Sequence, residues 1–178
     1  TIGISMTFSL QKAIEILSRS PKALQAQLTG LSDEWIYSNE GPGTWSPFEI
    51  VGHLIVNEET NFLPRTVLIL SNEEHKMLSP INMTVHLEQN SGRKITQLLS
   101  EFTALRIRNI ATLKSLNISD DDLRKTAMHP KVGSVCLSNI LSIWVAHDLT
   151  HIGQIARVMA KQYKQEIGPF IEFLPRLK

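Results

Sequence analysis

His147 and His151 stand four residues apart in the run HDLTH, a spacing that places two imidazoles one above the other on a helix face. Both fall on a stripe with Leu137, Ile140, Trp144, Ile155 and Val158, which recur at steps of three and four as the apolar seam of an amphipathic helix does. An imidazole buried in such a seam costs free energy unless it finds a partner. Two rings that reach one point are most simply satisfied by a shared metal ion. Two ligands leave that ion under-coordinated, so a third is sought among His53, His75, His86 and His129.

His75 and His129 fall in predicted loops and read as solvated. His86, at the frayed start of a helix, reads the same way. His53 differs, because it lies two turns into the best-marked helix of the chain, between Val51 and Leu54. Alone it would read as a core-edge histidine bonded to a carbonyl; beside two seam histidines it becomes the third candidate ligand. Three neutral imidazoles with one position left for water or substrate make an open, catalytic type of site. With a single cysteine, Cys136, a thiolate-built zinc site is excluded.

An ion so held can lower the pKa of bound water toward neutrality, or bind a thiol and favour the reactive thiolate. Imidazole ligands suit zinc, nickel, iron and copper, with zinc expected first and nickel next. Asp148 is a candidate acceptor for the second nitrogen of His151, and equally a partner for an arginine such as Arg106 on another helix. Asn57, one turn after His53, is placed to reach a substrate or a neighbouring helix. Gln154, three residues after His151, is placed to close the pocket or bridge helices. Trp144 and Trp45 read as core or pocket wall, and Cys136 as a small apolar packing residue. Glu58, five residues after His53, is rotated away and reads with Glu59 as a solvated flank, although it is the one carboxylate in reach of general-base work. The triple aspartate 120–122 lacks the glycine turn and distal glutamate of a calcium loop.

Four helical patterns must position these residues. The first covers residues 7–29, interrupted at Pro21. The second starts where Ser46 as N-cap, Pro47 at the first helical position, Glu49 closing a capping box and Trp45 stapling Ile50 coincide; it runs to about residue 70, kinked at Pro64. The third spans about 85–116, weakened near Gly92, and the fourth about 134–164. Residues 71–83 and 117–133 read as loops, with Ser119 capping a short turn. No strand-like alternation of useful length appears. The expectation is an all-α chain folded as a single four-helix bundle, one domain over residues 1–178 with a core at about 8–164 and an irregular tail at 165–178.

Composition narrows the function. At 42% hydrophobic and 20% charged, the 178 residues suit an ordinary soluble domain with a core of its own. A net charge of +1 with scattered basic residues argues against a nucleic-acid partner. No apolar run reaches the length needed to cross a bilayer. One cysteine and no N-terminal signal segment fit the cytoplasm.

Several stretches resemble a known family. The segment GTWSPFEIVGHL, ending just past His53, resembles the histidine-bearing second helix of the DinB/YfiT-like metalloenzymes. HDLTHIGQI, from His147 through Gln154, resembles that family's closing motif, and HPKVGSV, from His129, is similar to its connection into the last helix. The resemblance runs from about Phe8 to Tyr163 with the elements in order. It implies a four-helix bundle of uncommon handedness and a metal held by His53, His147 and His151. Relatives include S-transferases that use bacillithiol or mycothiol, which implies a low-molecular-weight thiol as co-substrate, a small-molecule substrate, and pairing into a homodimer. Some mycothiol-using relatives carry a glutamate ligand where His147 stands here, which points to the all-histidine branch. The leading reading is therefore a divalent-metal-dependent thiol S-transferase or related hydrolase. The alternative is a non-catalytic metal-binding or interaction bundle.

Overall fold

Two long, broken helices and two continuous ones build the protein, and each break has a local cause. The computed structural model describes residues 7–177. Helix α1 (Leu10–Leu17) and helix α2 (Ser20–Leu28) form the first arm, with Pro21 in the opening turn of α2, where its missing N–H leaves nothing unpaired. A short helix α3 (Asp33–Tyr37), which the periodicity does not announce, buries Ile36.

Helix α4 (Pro47–Thr60) begins as the sequence predicts. The hydroxyl of Ser46 accepts from Glu49 N, and Glu49 Oε2 accepts from Ser46 N at 2.7 Å. Its end differs from expectation. The chain breaks at Asn61 rather than Pro64, and helix α5 (Phe62–Leu70) starts there, so that Pro64 sits harmlessly in its first turn.

The third predicted helix is two. Helix α6 (Val85–Gln89) ends before Gly92, which takes φ +75°, and helix α7 (Ile95–Ser115) follows. A hairpin, strands β1 (Thr126–His129) and β2 (Gly133–Cys136), antiparallel with Thr126 opposite Cys136, takes up the end of the expected loop and the first residues expected of the last helix, which starts at Leu137 instead. Four residues per strand are too few for a period of two to show in sequence. The imidazole Nδ1 of His129 accepts from Lys131 N and Val132 N and so stitches the turn. Helix α8 (Leu137–Gln162) completes the bundle, and 3-10 turns at Gly168–Phe173 and Pro175–Leu177 make up the tail. Cys136 is half-buried at the α8 N-cap beside Ser138 and Asn139 rather than packed as an apolar residue.

α4 packs against α7 and α8, and the interior divides into two apolar halves. One gathers Leu24, Leu28, Ile50, Leu54, Phe102 and Ile155; the other gathers Leu17, Phe62, Ile69, Leu113, Leu137 and Trp144. Between them runs a buried polar layer containing Glu58, Arg106 and Asp148. No described helix is long and apolar enough to cross a membrane.

Candidate metal centre

α4 and α8 carry the three candidate ligands to one point. His53 Nε2 lies 3.1 Å from His147 Nε2, and His151 Nε2 lies 3.2 Å from the same atom. Each of the three residues offers a ligand atom within 4.8 Å of the others. Ligands at zinc's usual 2.0–2.1 Å and a tetrahedral angle would be about 3.3 Å apart, so these separations fit a single small cation.

The rings are electronically suited to it. Burial first, then the neighbouring imidazoles, push the pKa of His53 down to about 3 and that of His147 to about 4. Burial also lowers His151, although Gln154 and Asp148 oppose it. All three are neutral at pH 7, with lone pairs available for coordination. At this range the nitrogens can share protons in N–H···N hydrogen bonds, as their tautomers decide, or turn their lone pairs to a cation between them.

The residues around the imidazoles take definite positions. Gln154 Oε1 lies 2.7 Å from His151 Nδ1. As an acceptor-only oxygen it fixes the proton on Nδ1 and leaves Nε2 free to face inward. Asp148, the other candidate for that contact, takes its alternative partner: its carboxylate accepts from Arg106 at 2.5 and 3.0 Å. Asn57 Nδ2 donates to the His53 carbonyl at 2.8 Å and lies 3.1 Å from His53 Nε2, while its Oδ1 accepts from Asn61. Trp144 is core: fully buried, stacked on Phe62, and donating from Nε1 to Glu58 Oε1 at 2.8 Å. Trp45 is the wall of the site, with its ring 4.8 Å from His53 and stacked 6.5 Å from His151.

Two residues read as solvated are not. Glu58 is 3% exposed, and its carboxylate accepts from Arg106, Asn109 and Trp144. The signal was present: Ile50 to Val56 is apolar almost all round, the mark of a helix buried on every side, so rotation away from His53 still faces the interior. His86 is 1% exposed, against Trp45 and His53. Its sequence neighbours gave no such signal. His75 is exposed and His129 half-buried, as loop residues.

The polar layer adds a charge argument. Among the described residues the buried charged side chains are Glu58, Asp148 and Arg106, two carboxylates to one guanidinium. Burial works against Arg106's charge, but its hydrogen bonds to Glu58 and Asp148, with the charges of those carboxylates, more than offset it and raise its pKa. The layer thus keeps one formal negative charge in excess, shared by Glu58 and Asp148, the latter next in sequence to His147. An interior with that excess favours a nearby cation.

Comparisons place the chain. The family model of the DinB superfamily matches residues 16–155. No curated protein matches the sequence. Among solved structures, YfiT from Bacillus subtilis, described as a probable metal-dependent hydrolase with an unusual four-helix bundle topology, is similar with a TM-score of 0.72 and 18% identity, covering 90% of this chain and 93% of YfiT. TT2238, a four-helix bundle protein, is similar with a TM-score of 0.52 and 21% identity, over 83% of this chain and 98% of that one. At these identities the likeness is one of fold.

Proposed function

This chain belongs to the DinB superfamily, and from that premise we propose that it is a divalent-metal-dependent enzyme whose ion is held by His53, His147 and His151. The observation that carries the reading is the meeting of their three Nε2 atoms. The description of YfiT as a probable metal-dependent hydrolase supports it by analogy of fold. Zinc is the first candidate ion and nickel the second.

When bound, such an ion would supply a Lewis acid that lowers the pKa of a coordinated water or thiol. The chain's own residues do the rest. The three imidazoles stay neutral and would hold the ion with room left for an incoming group. Gln154 holds His151 in one tautomer, Asn57 offers amide hydrogens beside His53, and Trp45 shields the flank from water.

Neither buried carboxylate is free to take a proton from water, which favours a thiol as nucleophile. Glu58 is occupied by Arg106, Asn109 and Trp144, and Asp148 by Arg106. A thiol, with a pKa near 8.5, needs far less help to ionise than water at about 15.7. The proposed reaction is transfer of a low-molecular-weight thiol to an electrophilic small molecule. A sulfur–carbon bond forms, the leaving group departs with its electron pair, and the thiol proton passes to solvent. Hydrolysis is the same chemistry with water in the thiol's place.

Elemental analysis of the purified protein beside His53→Ala and His147→Ala tests the site. Near-stoichiometric zinc or nickel in the parent and its loss from both variants is expected, together with metal-dependent consumption of a thiol by an aryl halide electrophile. A parent that holds no metal after reconstitution with either ion would sink the proposal.

A further inference from the structure

α6 places one more imidazole against the centre. His86 is almost fully buried, and neither Nδ1 nor Nε2 has a hydrogen-bond partner. Its ring lies 5.5 Å from that of His53 and edge-on to Trp45 at 4.7 Å. Trp45 and His86 together therefore wall the three imidazoles on the His53 side. Buried polar atoms without partners are rare, and each calls for a completing ion, water or ligand, or for a functional reason. Here two occur on one ring.

The approach of α6 depends on the residue next to a candidate ligand. A Cβ at Gly52 would lie 2.5 Å from Asn90 Nδ2 and 3.6 Å from His86 Cβ. Asn90 Nδ2 donates to the His86 carbonyl at 2.9 Å, so a side chain at position 52 would press on the turn that carries His86. On its other side His86 borders a groove of about 430 Å³, lined also by Tyr37, Phe48, Glu49, Leu87 and Arg93. The imidazole stands between a surface groove and the metal centre.

The geometry points to His86 as a ligand-positioning residue of that centre: its ring hydrogen-bonds the molecule that takes the fourth metal position. It would thereby favour molecules with a donor or acceptor beside the atom they give to the metal, as hydroxamates, carboxylates and amides have. The inference rests on the metal reading above. A neutral imidazole offers one donor and one acceptor, so it can serve either polarity. It is not a fourth ligand in this arrangement, because the cluster whose ligand atoms lie within 4.8 Å of one another comprises His53, His147 and His151.

The test uses the full chain loaded with Co(II), whose visible absorption reports what enters the fourth position. It is titrated with acetohydroxamate, which carries an N–H beside its ligating oxygens, and with thiocyanate, which has no such neighbouring group. His86→Phe is expected to keep its Co(II) and, within about twofold, its thiocyanate Kd, while acetohydroxamate weakens by about tenfold, the worth of one good hydrogen bond. It should melt no lower than the parent, since it removes two unpartnered buried nitrogens. Gly52→Ala, which retains the imidazole but displaces it, should weaken acetohydroxamate in the same direction. Equal acetohydroxamate affinity in the parent and His86→Phe overturns the inference, and so does loss of Co(II) from that variant, which would make His86 a ligand. A parent that takes up no Co(II) overturns the metal reading itself and this inference with it.

Discussion

At the scale of single residues, the site is a set of imidazoles held neutral by their surroundings, and that has a consequence for pH. His53 and His147 bind protons at about 3 and about 4 in the fold, against 6.5 when unfolded. Between those values the unfolded chain carries the extra protons, so stability rises with pH there. The metal-free protein should therefore hold its full stability above pH 6.5 and lose it progressively as pH falls from 6.5 toward 4. Urea midpoints across that range would show it. A flat profile, or one that rises on acidification, would contradict the burial of these rings. Much of this was legible in the sequence. Histidine spacing on an apolar seam gives position and burial together, which is why His147 and His151 could be singled out. His86 could not, because a five-residue helix between two loops has no periodicity to place its side chain.

At the scale of elements, Arg106 holds the bundle's middle layer together. From α7 it donates to Glu58 on α4, to Asp148 on α8 and to the carbonyl of Leu17 at the end of α1. A buried network that loses one partner leaves the others charged and unpaired, at a cost of about 3–5 kcal/mol. Arg106→Leu should lower the unfolding free energy by roughly that much, and adding Glu58→Gln should recover part of it by removing one stranded carboxylate. Denaturant titration of the two variants decides. If Arg106→Leu is neutral, the layer is not held as described. The helices themselves were readable from apolar periodicity and caps, with Ser46–Glu49 the clearest signal. What escaped was short: the four-residue strands, the five-residue α3, and the break at Asn61. In a continuous helix the Pro64 ring would clash with the carbonyl four residues earlier; the break at Asn61, upstream of the proline, avoids that clash, a displacement that residue type alone does not reveal.

At the scale of the whole molecule, the polar layer separates two apolar halves, and the histidine centre shares its helices with that layer. The bundle class followed from four amphipathic patterns. The tertiary partners of Glu58 did not, since a carboxylate's burial depends on which helices surround it. The centre also spans a great length of chain. His53 and His147 are 94 residues apart in sequence, so the ion would close a long loop. Closing such a loop is entropically demanding, and native-like geometry at both ends is needed before the imidazoles meet. The ion should therefore engage after the rate-limiting step of folding and act as a brake on the reverse process. Stopped-flow chevrons with and without zinc should share a refolding arm and differ in the unfolding arm, the metal-loaded protein unfolding more slowly by nearly the whole stabilisation. Persistence under proteolysis, rather than speed of assembly, is where a bound ion would then be felt.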